Sequence, residues 1–237
     1  MGVVRLYVIG IDEAGRGPVI GPMVMACVVV REDRVSNLVG LGVRDSKQLT
    51  RSRREAIFSV LREVADYITY RVVPPDVIDS AVEGRCARNL NDLEARICSE
   101  LIADCLSRFS SSEVLCIYVD SPDPVPHRYS SMVKRYLLER GVGSGVSIVA
   151  DNHAESKYVV VAAASIVAKV LRDREIDELK RIYGDFGSGY VTDPKTISFL
   201  EDYVRKFGEL PPCVRRSWST ARKVLSRCLG TRLTDFM

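Results

Sequence analysis

Histidine is scarce in this chain, with only His127 and His153 among its 237 residues. Neither stands at a spacing that would join it to a second imidazole or thiolate on a metal, so a histidine-built metal centre is excluded. Paired cysteines are lacking too. Cys27, Cys86, Cys98, Cys105, Cys116, Cys213 and Cys228 form an odd set without a C-x-x-C clip, which excludes a zinc ribbon or finger. Cys27 and Cys116 lie inside apolar runs, and Cys98 and Cys105 fall on a stretch of helical pattern, which predicts packed thiols in a reducing compartment. Long hydrophobic runs are also missing. The longest, Tyr158 to Ala168, falls well short of the roughly 20 residues that a bilayer span requires. The N-terminal apolar residues are interrupted by Arg5 and Asp12 and do not form a leader. No membrane association and a cytoplasmic location are therefore expected. Finally, there is no large excess of one charge. Lys and Arg total 34 against 31 acidic residues, a net +3, so any polyanion partner must be read from the local distribution.

What the chain does have is 46% hydrophobic residues, enough at this length to bury a sizeable core. Arg5 to Ile11 is β-branched and apolar and stops at Asp-Glu-Ala-Gly-Arg-Gly-Pro, a strand running into a tight loop. Met23 to Val30 reads as a second strand, antiparallel to the first, and Arg31 to Asn37 as a polar connection. From Thr50 the pattern is helical, with Ile57, Val60, Leu61 and Val64 on one face. Tyr67 to Val73 reads as a strand closed by Pro74 and Pro75, Leu90 to Leu106 as a long helix, and Val114 to Val119 as a strand ending at Asp120. Pro122, Pro124 and Pro126 then enforce a loop. Tyr129 to Glu139 reads as a helix and Val146 to Ala150 as a fifth strand. Ser156 to Leu171 is so rich in small apolar residues that it predicts a helix packed closely on the sheet. Beyond Gly184, glycines and prolines leave room for two helices, Thr196 to Phe207 and Ser217 to Cys228. The expected fold is α/β, a mixed five-stranded sheet flanked by helices with a C-terminal helical appendage. The expected organisation is a catalytic domain over 1–184, a helical substrate-binding region over 185–230 and a tail over 231–237.

Two of these strands end in acids, Asp12 and Asp120, and a third acidic region, Asp151 to Glu155, begins where the fifth strand stops. In open α/β sheets, ligands gather beyond the carboxyl ends of strands. One such acid alone would be read as a cap or turn residue, but three coincident strand ends point to a site. Asp12 and Glu13 alternate in direction along a strand, so sharing one site requires the chain to bend there, which Gly15, Gly17 and Pro18 would allow. Carboxylates brought together repel unless a divalent cation lies between them. With oxygen donors only, the expected ions are Mg2+ or Mn2+. Two of them about 3.5–4 Å apart suit phosphodiester hydrolysis.

Gly10-Ile-Asp-Glu-Ala-Gly-Arg-Gly-Pro18, Asp45-Ser-Lys-Gln-Leu49, Val119-Asp120, Ala162-Ala-Ala-Ser-Ile-Val-Ala-Lys169, Arg172-Asp173 and Gly187-Ser-Gly-Tyr190 occur in order along nearly the whole chain. This series closely resembles ribonuclease HII. The chain starts almost at the first strand, which resembles type 2 rather than type 3 enzymes. The resemblance implies a ribonuclease H-like fold and a metal-dependent endoribonuclease. Its substrates would be RNA/DNA hybrids and single ribonucleotides embedded in duplex DNA, cut on the 5′ side to leave 3′-hydroxyl and 5′-phosphate ends. It makes Asp12, Glu13 and Asp120 catalytic metal-binding acids. Gly15, Arg16 and Gly17 become the loop that senses the ribose 2′-hydroxyl, Tyr190 the residue that packs on the sugar at the RNA-to-DNA junction, and Lys47 and Lys169 phosphate contacts. The fourth acid departs from the family pattern. Where relatives carry Asp, Glu155 stands here. Asp151 competes with it, although Asp151 can instead cap the next helix. Glu155 is the expected ligand.

Arg51, Arg53 and Arg54 are read either as backbone contacts from a helix start or as a solvated face. Arg215, Arg216, Arg222, Lys223 and Arg227 surround Trp218 in a concentration able to grip the DNA strand, with Trp218 itself a packing anchor. His127 and His153 are treated as structural or solvent-facing. The terminal Leu233-Thr-Asp-Phe-Met237 resembles a sliding-clamp-binding peptide, and a frayed terminus is the other reading. The protein is expected to act as a monomer. A non-catalytic hybrid-binding protein of the same fold is the alternative reading, and a junction resolvase a third, against which the Gly-Arg-Gly loop and Tyr190 argue.

Overall fold

The computed structural model describes residues 5–43 and 49–230. Lys47 and the clamp-like tail from 231 lie outside the described residues. In chain order the elements are β1 (Tyr7–Ala14), β2 (Met23–Arg31), a 3-10 turn (Glu32–Arg34), α1 (Val35–Gly40), α2 (Arg51–Val64), β3 (Tyr67–Val73), α3 (Pro75–Val82), α4 (Leu90–Leu106), β4 (Val114–Asp120), α5 (Pro126–Glu139), β5 (Ile148–Asp151), α6 (Ala154–Lys157), α7 (Val159–Tyr183), α8 (Pro194–Phe207) and α9 (Ser219–Leu229). They group into two compact units that interleave along the chain. One comprises the segment ending at Ala14 with Val24–Arg71 and Asn91–Leu171, the other Gly15–Met23, Val72–Leu90 and the chain from Arg172.

In the first unit the described strands form one mixed five-stranded sheet in the order β3-β2-β1-β4-β5. β1 is antiparallel to β2, from Tyr7↔Arg31 to Ala14↔Val24. It is parallel to β4 up to Ile11↔Val119, and β4 is parallel to β5 up to Asp120↔Asp151. The period-2 alternation of a strand decides which residues meet which helix. Val8, Ala26, Val28 and Val30 pack on one face with Val160–Ala168 of α7 and with Ile57, Phe58 and Leu61 of α2. Cys27 points to the other face, where its Sγ lies 3.3 Å from that of Cys105 on α4. α7 reaches the sheet closely because Gly10 has no side chain. A Cβ there would stand 2.3 Å from the main-chain carbonyl of Val160.

Several expected boundaries move. β1 does not stop at Ile11 but continues, paired with β2, through Asp12, Glu13 and Ala14. The polar stretch after β2 is not a simple connection, because a 3-10 turn and α1 occupy it and bury Leu38. Pro75 does not only close β3. It occupies the first turn of α3, and Pro126 does the same for α5, positions where a missing N–H costs nothing. α7 starts at Val159 and runs past Leu171 to Tyr183, since no helix breaker intervenes before Gly184. All seven cysteines are free thiols, and Cys27, Cys98, Cys105, Cys116 and Cys213 are buried. Among the described residues no helix is long and apolar enough to cross a membrane.

The second unit has its own core, in which Val19 and Ile20 meet Ile176, Phe186, Leu200, Val204 and Val224. Ile20 also bridges Val214 in antiparallel fashion.

Candidate active site

The parallel register places Asp12 and Asp120 side by side, each one step beyond the last β1–β4 pair, Ile11↔Val119. One carboxylate oxygen from each of Asp12, Glu13 and Asp120 lies within 4.8 Å of the other two. The bend expected at Asp12 is not what brings Glu13 in, because the strand is regular there. The β4 ladder ends at Ile11, one residue before Asp12, and Glu13 still brings a carboxylate oxygen into the cluster.

Electrostatics mark the cluster as strained without a counter-ion. Asp12 is 6% exposed. Burial and then the Asp120 carboxylate push it up to about 7, opposed by a hydrogen bond from Ser165, the Glu13 amide and the charge of Lys169. The Glu13 N–H donates to Asp12 Oδ1 at 2.8 Å. Burial pushes Asp120 up to about 6, with Glu155 adding to the rise, while the Ala154 amide and His153 oppose it. The Ala154 N–H donates to Asp120 Oδ1 at 2.7 Å. Converging oxygens that resist ionising together, with no nitrogen or sulfur donor in the set, fit a hard divalent cation such as Mg2+ or Mn2+.

The two candidates for a fourth acid, Glu155 and Asp151, differ in their contacts. Glu155 is buried in the short helix α6 and hydrogen-bonds Asp120. Asp151 pairs instead with Lys157 at 2.5 Å. His153, the one described non-glycine residue with positive φ, turns the chain between them at φ 56°. Lys169 acts on Asp12 electrostatically.

In the second unit, Gly15, Arg16, Gly17 and Tyr190 come together. A Cβ on Gly17 would lie 3.8 Å from the Tyr190 ring. The Gly189 carbonyl accepts from the amides of Val19 and Ile20 at 2.8 and 3.2 Å. Tyr190 is 42% exposed. The Arg172 guanidinium stands 5.7 Å from its ring centroid. Gly15 has φ 81°, and a Cβ there would meet the Pro22 carbonyl at 2.8 Å, so only glycine fits.

Two residues with work at these places, Ser165 and Arg172, carry no signal in the sequence beyond their positions in motifs. Ser165 is buried beside Asp12 inside a run of alanines, where a hydroxyl is the unusual group. Arg172 stands over the Tyr190 ring. Arg215 does not belong to the expected DNA-gripping surface, because it is fully buried and donates to main-chain carbonyls. Trp218 is partly buried, and its indole N–H donates to the Gly17 carbonyl. Of the helix-start arginines, Arg51 and Arg53 are exposed and Arg54 turns back onto the Leu49 carbonyl at 2.8 Å.

A mixed sheet in this order, with carboxylates converging at the C-terminal ends of its first and fourth strands, defines the ribonuclease H-like class. The sequence profile of the family ribonuclease HII matches residues 9–221. Ribonuclease HII of Thermofilum pendens is 49% identical over 217 residues, 92% of this chain and 98% of the relative. The crystal structure of ribonuclease H2 from Pyrococcus horikoshii OT3 aligns with a TM-score of 0.82 at 43% identity, covering 94% of this chain and 99% of that one. A chain of the PCNA:RNase HII complex from Archaeoglobus fulgidus aligns with a TM-score of 0.78 at 37% identity, covering 92% and 96%. The chain belongs to the ribonuclease HII family, and it is a type 2 ribonuclease H.

Proposed function

We propose that this enzyme hydrolyses RNA in RNA/DNA hybrids and at single ribonucleotides embedded in duplex DNA, cutting on the 5′ side of the ribonucleotide to leave 3′-hydroxyl and 5′-phosphate ends. The observation that carries the reading is the convergence of Asp12, Glu13 and Asp120 oxygens within 4.8 Å. Asp12, Glu13, Asp120 and Glu155 hold divalent ions, Mg2+ or Mn2+. Two such ions supply charge neutralisation at the scissile phosphate and a nucleophile from water. Ser165 and the Glu13 amide orient Asp12, and the Ala154 amide orients Asp120. Lys169 and Lys47 contact phosphate.

Ribose selection belongs to Gly15, Arg16 and Gly17, which directly follow the strand bearing Asp12 and Glu13, and to Tyr190. The 2′-hydroxyl is the group that separates RNA from DNA, and small residues let main-chain donors reach it. Residues 185–230 form a helical substrate-binding region, and the enzyme acts as a monomer. The tail from 231 binds a sliding clamp, a reading supported by the complex with PCNA in the Archaeoglobus fulgidus relative. Removal of Leu233 onward is expected to abolish clamp binding in a pull-down and to spare hydrolysis.

The deciding experiment compares a duplex with one ribonucleotide and a long hybrid, each with Mg2+ and with Mn2+, and identifies the product ends. Binding of both duplexes without cleavage in either metal would establish a non-catalytic hybrid binder instead.

A further inference from the structure

We infer that Arg215 and Trp218 are positioning residues that set which way the peptide groups of the loop after β1 point, and that ribose discrimination depends on them. The inference rests on the proposed role of Gly15, Arg16 and Gly17.

Arg215 is 0% exposed, the largest fully buried side chain described. A buried guanidinium is tolerated only when its N–H groups are satisfied, and here they are spent on the loop's main chain. Nε donates to the Gly21 carbonyl at 3.0 Å, Nη1 to that of Arg16 at 2.6 Å, and Nη2 to that of Gly15. The Arg215 amide donates to the Val19 carbonyl at 2.9 Å. Trp218 completes the set. Its Nε1 donates to the Gly17 carbonyl at 3.1 Å, and its ring centroid lies 5.0 Å from the Arg215 guanidinium carbon. Asp79 in turn anchors the donor segment, accepting from the amides of Arg216 and Ser217 at 2.7 and 2.9 Å.

Three consecutive carbonyls, those of Gly15, Arg16 and Gly17, are thus turned towards two side chains. There is no cis peptide among the described residues. In a trans peptide the C=O and the following N–H point in opposite directions. Holding the Gly15 and Arg16 carbonyls inwards therefore aims the Arg16 and Gly17 amides the other way, as a pair. Pro18 has no amide to add, which limits the pair to these two donors. Adjacent main-chain N–H groups aimed together recognise an oxygen acceptor, here a ribose 2′-oxygen. A lysine at 215 would keep the charge but could not span three carbonyls, because it is a point donor without a rigid fork.

The test uses the full chain and two variants. Trp218→Phe removes a single N–H and keeps a ring, and Arg215→Lys keeps the charge. Initial rates on a duplex with one ribonucleotide give kcat and KM. The all-DNA duplex of the same sequence, as competitor, gives a Ki, and the thermal midpoint is recorded for each protein. Trp218→Phe is expected to lower kcat about fivefold or more and to move the KM-to-Ki ratio towards one, with Ki and thermal midpoint unchanged. Arg215→Lys is expected to do the same more strongly. If Arg215→Lys does not fold, Trp218→Phe carries the test alone. Wild-type kcat and wild-type discrimination in every folded variant overturn the inference. So does a parallel loss of affinity for both duplexes, which would mean a grip on the nucleic acid. A wild-type enzyme that fails to cleave the ribonucleotide duplex removes the parent reading of the loop and this inference with it, whereas an active wild type with insensitive variants removes the inference alone.

Discussion

Lys157 holds Asp151 in an ion pair of 2.5 Å. Glu155, proposed as the fourth acid, instead acts on the Asp120 carboxylate. Glu155→Gln is therefore expected to reduce kcat by about 100-fold or more, in the range seen when a group acting on the reacting atoms is lost. Asp151→Asn, which breaks only a partly exposed ion pair, should stay within about threefold. Steady-state rates on a single-ribonucleotide duplex decide it, and the opposite ranking would remove Glu155 from the site.

The metal-free protein should lose stability as pH rises. The Asp12 carboxyl titrates near 7 when folded against 3.8 when unfolded, so between these values the native state binds more protons than the unfolded chain. The penalty is absent below about pH 4, grows up to about pH 7 and persists above it. Asp12→Asn should flatten that slope and raise the thermal midpoint of the metal-free protein at pH 8, while abolishing cleavage. Added Mg2+ should raise the midpoint of the wild type more than that of the variant. Parallel pH slopes for the two proteins would show that burial at Asp12 is not felt.

Ser165→Ala removes a hydrogen bond that lowers the Asp12 pKa. The acidic limb of the pH–rate profile should consequently move to higher pH, with kcat at its plateau reduced about three- to tenfold. The loss of one hydrogen bond typically costs about 0.5–1.5 kcal/mol, which brackets this effect. A profile superimposable on that of the wild type would count against the contact.

Gly10→Ala drives a methyl group into the main chain of α7, 2.3 Å from the Val160 carbonyl. Main chain cannot yield as a flexible side chain can, so the cost should reach about 3 kcal/mol or more, the upper end of overpacking. Gly40→Ala is the control. Nothing lies within 4 Å of a Cβ there, and it should be neutral or slightly stabilising. Urea unfolding midpoints compare the two.

Much of the scaffold was legible in the sequence because its signals are local. The β-branched run Tyr67–Val73 and the periodic stretch Leu90–Leu106 coincide with β3 and α4. The small residues after Tyr158 announced a helix lying against the sheet, and Gly10 is the reciprocal feature on β1. Asp12 and Asp120 stood out because each follows a run of strand pattern. α3 and α5 were partly hidden, since a proline that ends one element can also open the next.

By itself, then, the sequence determined the strands and the longer helices and marked Asp12 and Asp120 near strand ends, all of them properties of short windows in which neighbours along the chain are neighbours in space. The tertiary structure alone decided that Glu13 brings an oxygen to those of Asp12 and Asp120, that Lys157 pairs with Asp151, and that Arg215 is an internal clasp and not a surface charge. The Arg215 acceptors lie 194, 199 and 200 residues away in sequence. Which donor meets which carbonyl depends on chain closure over that distance, and no local propensity encodes it.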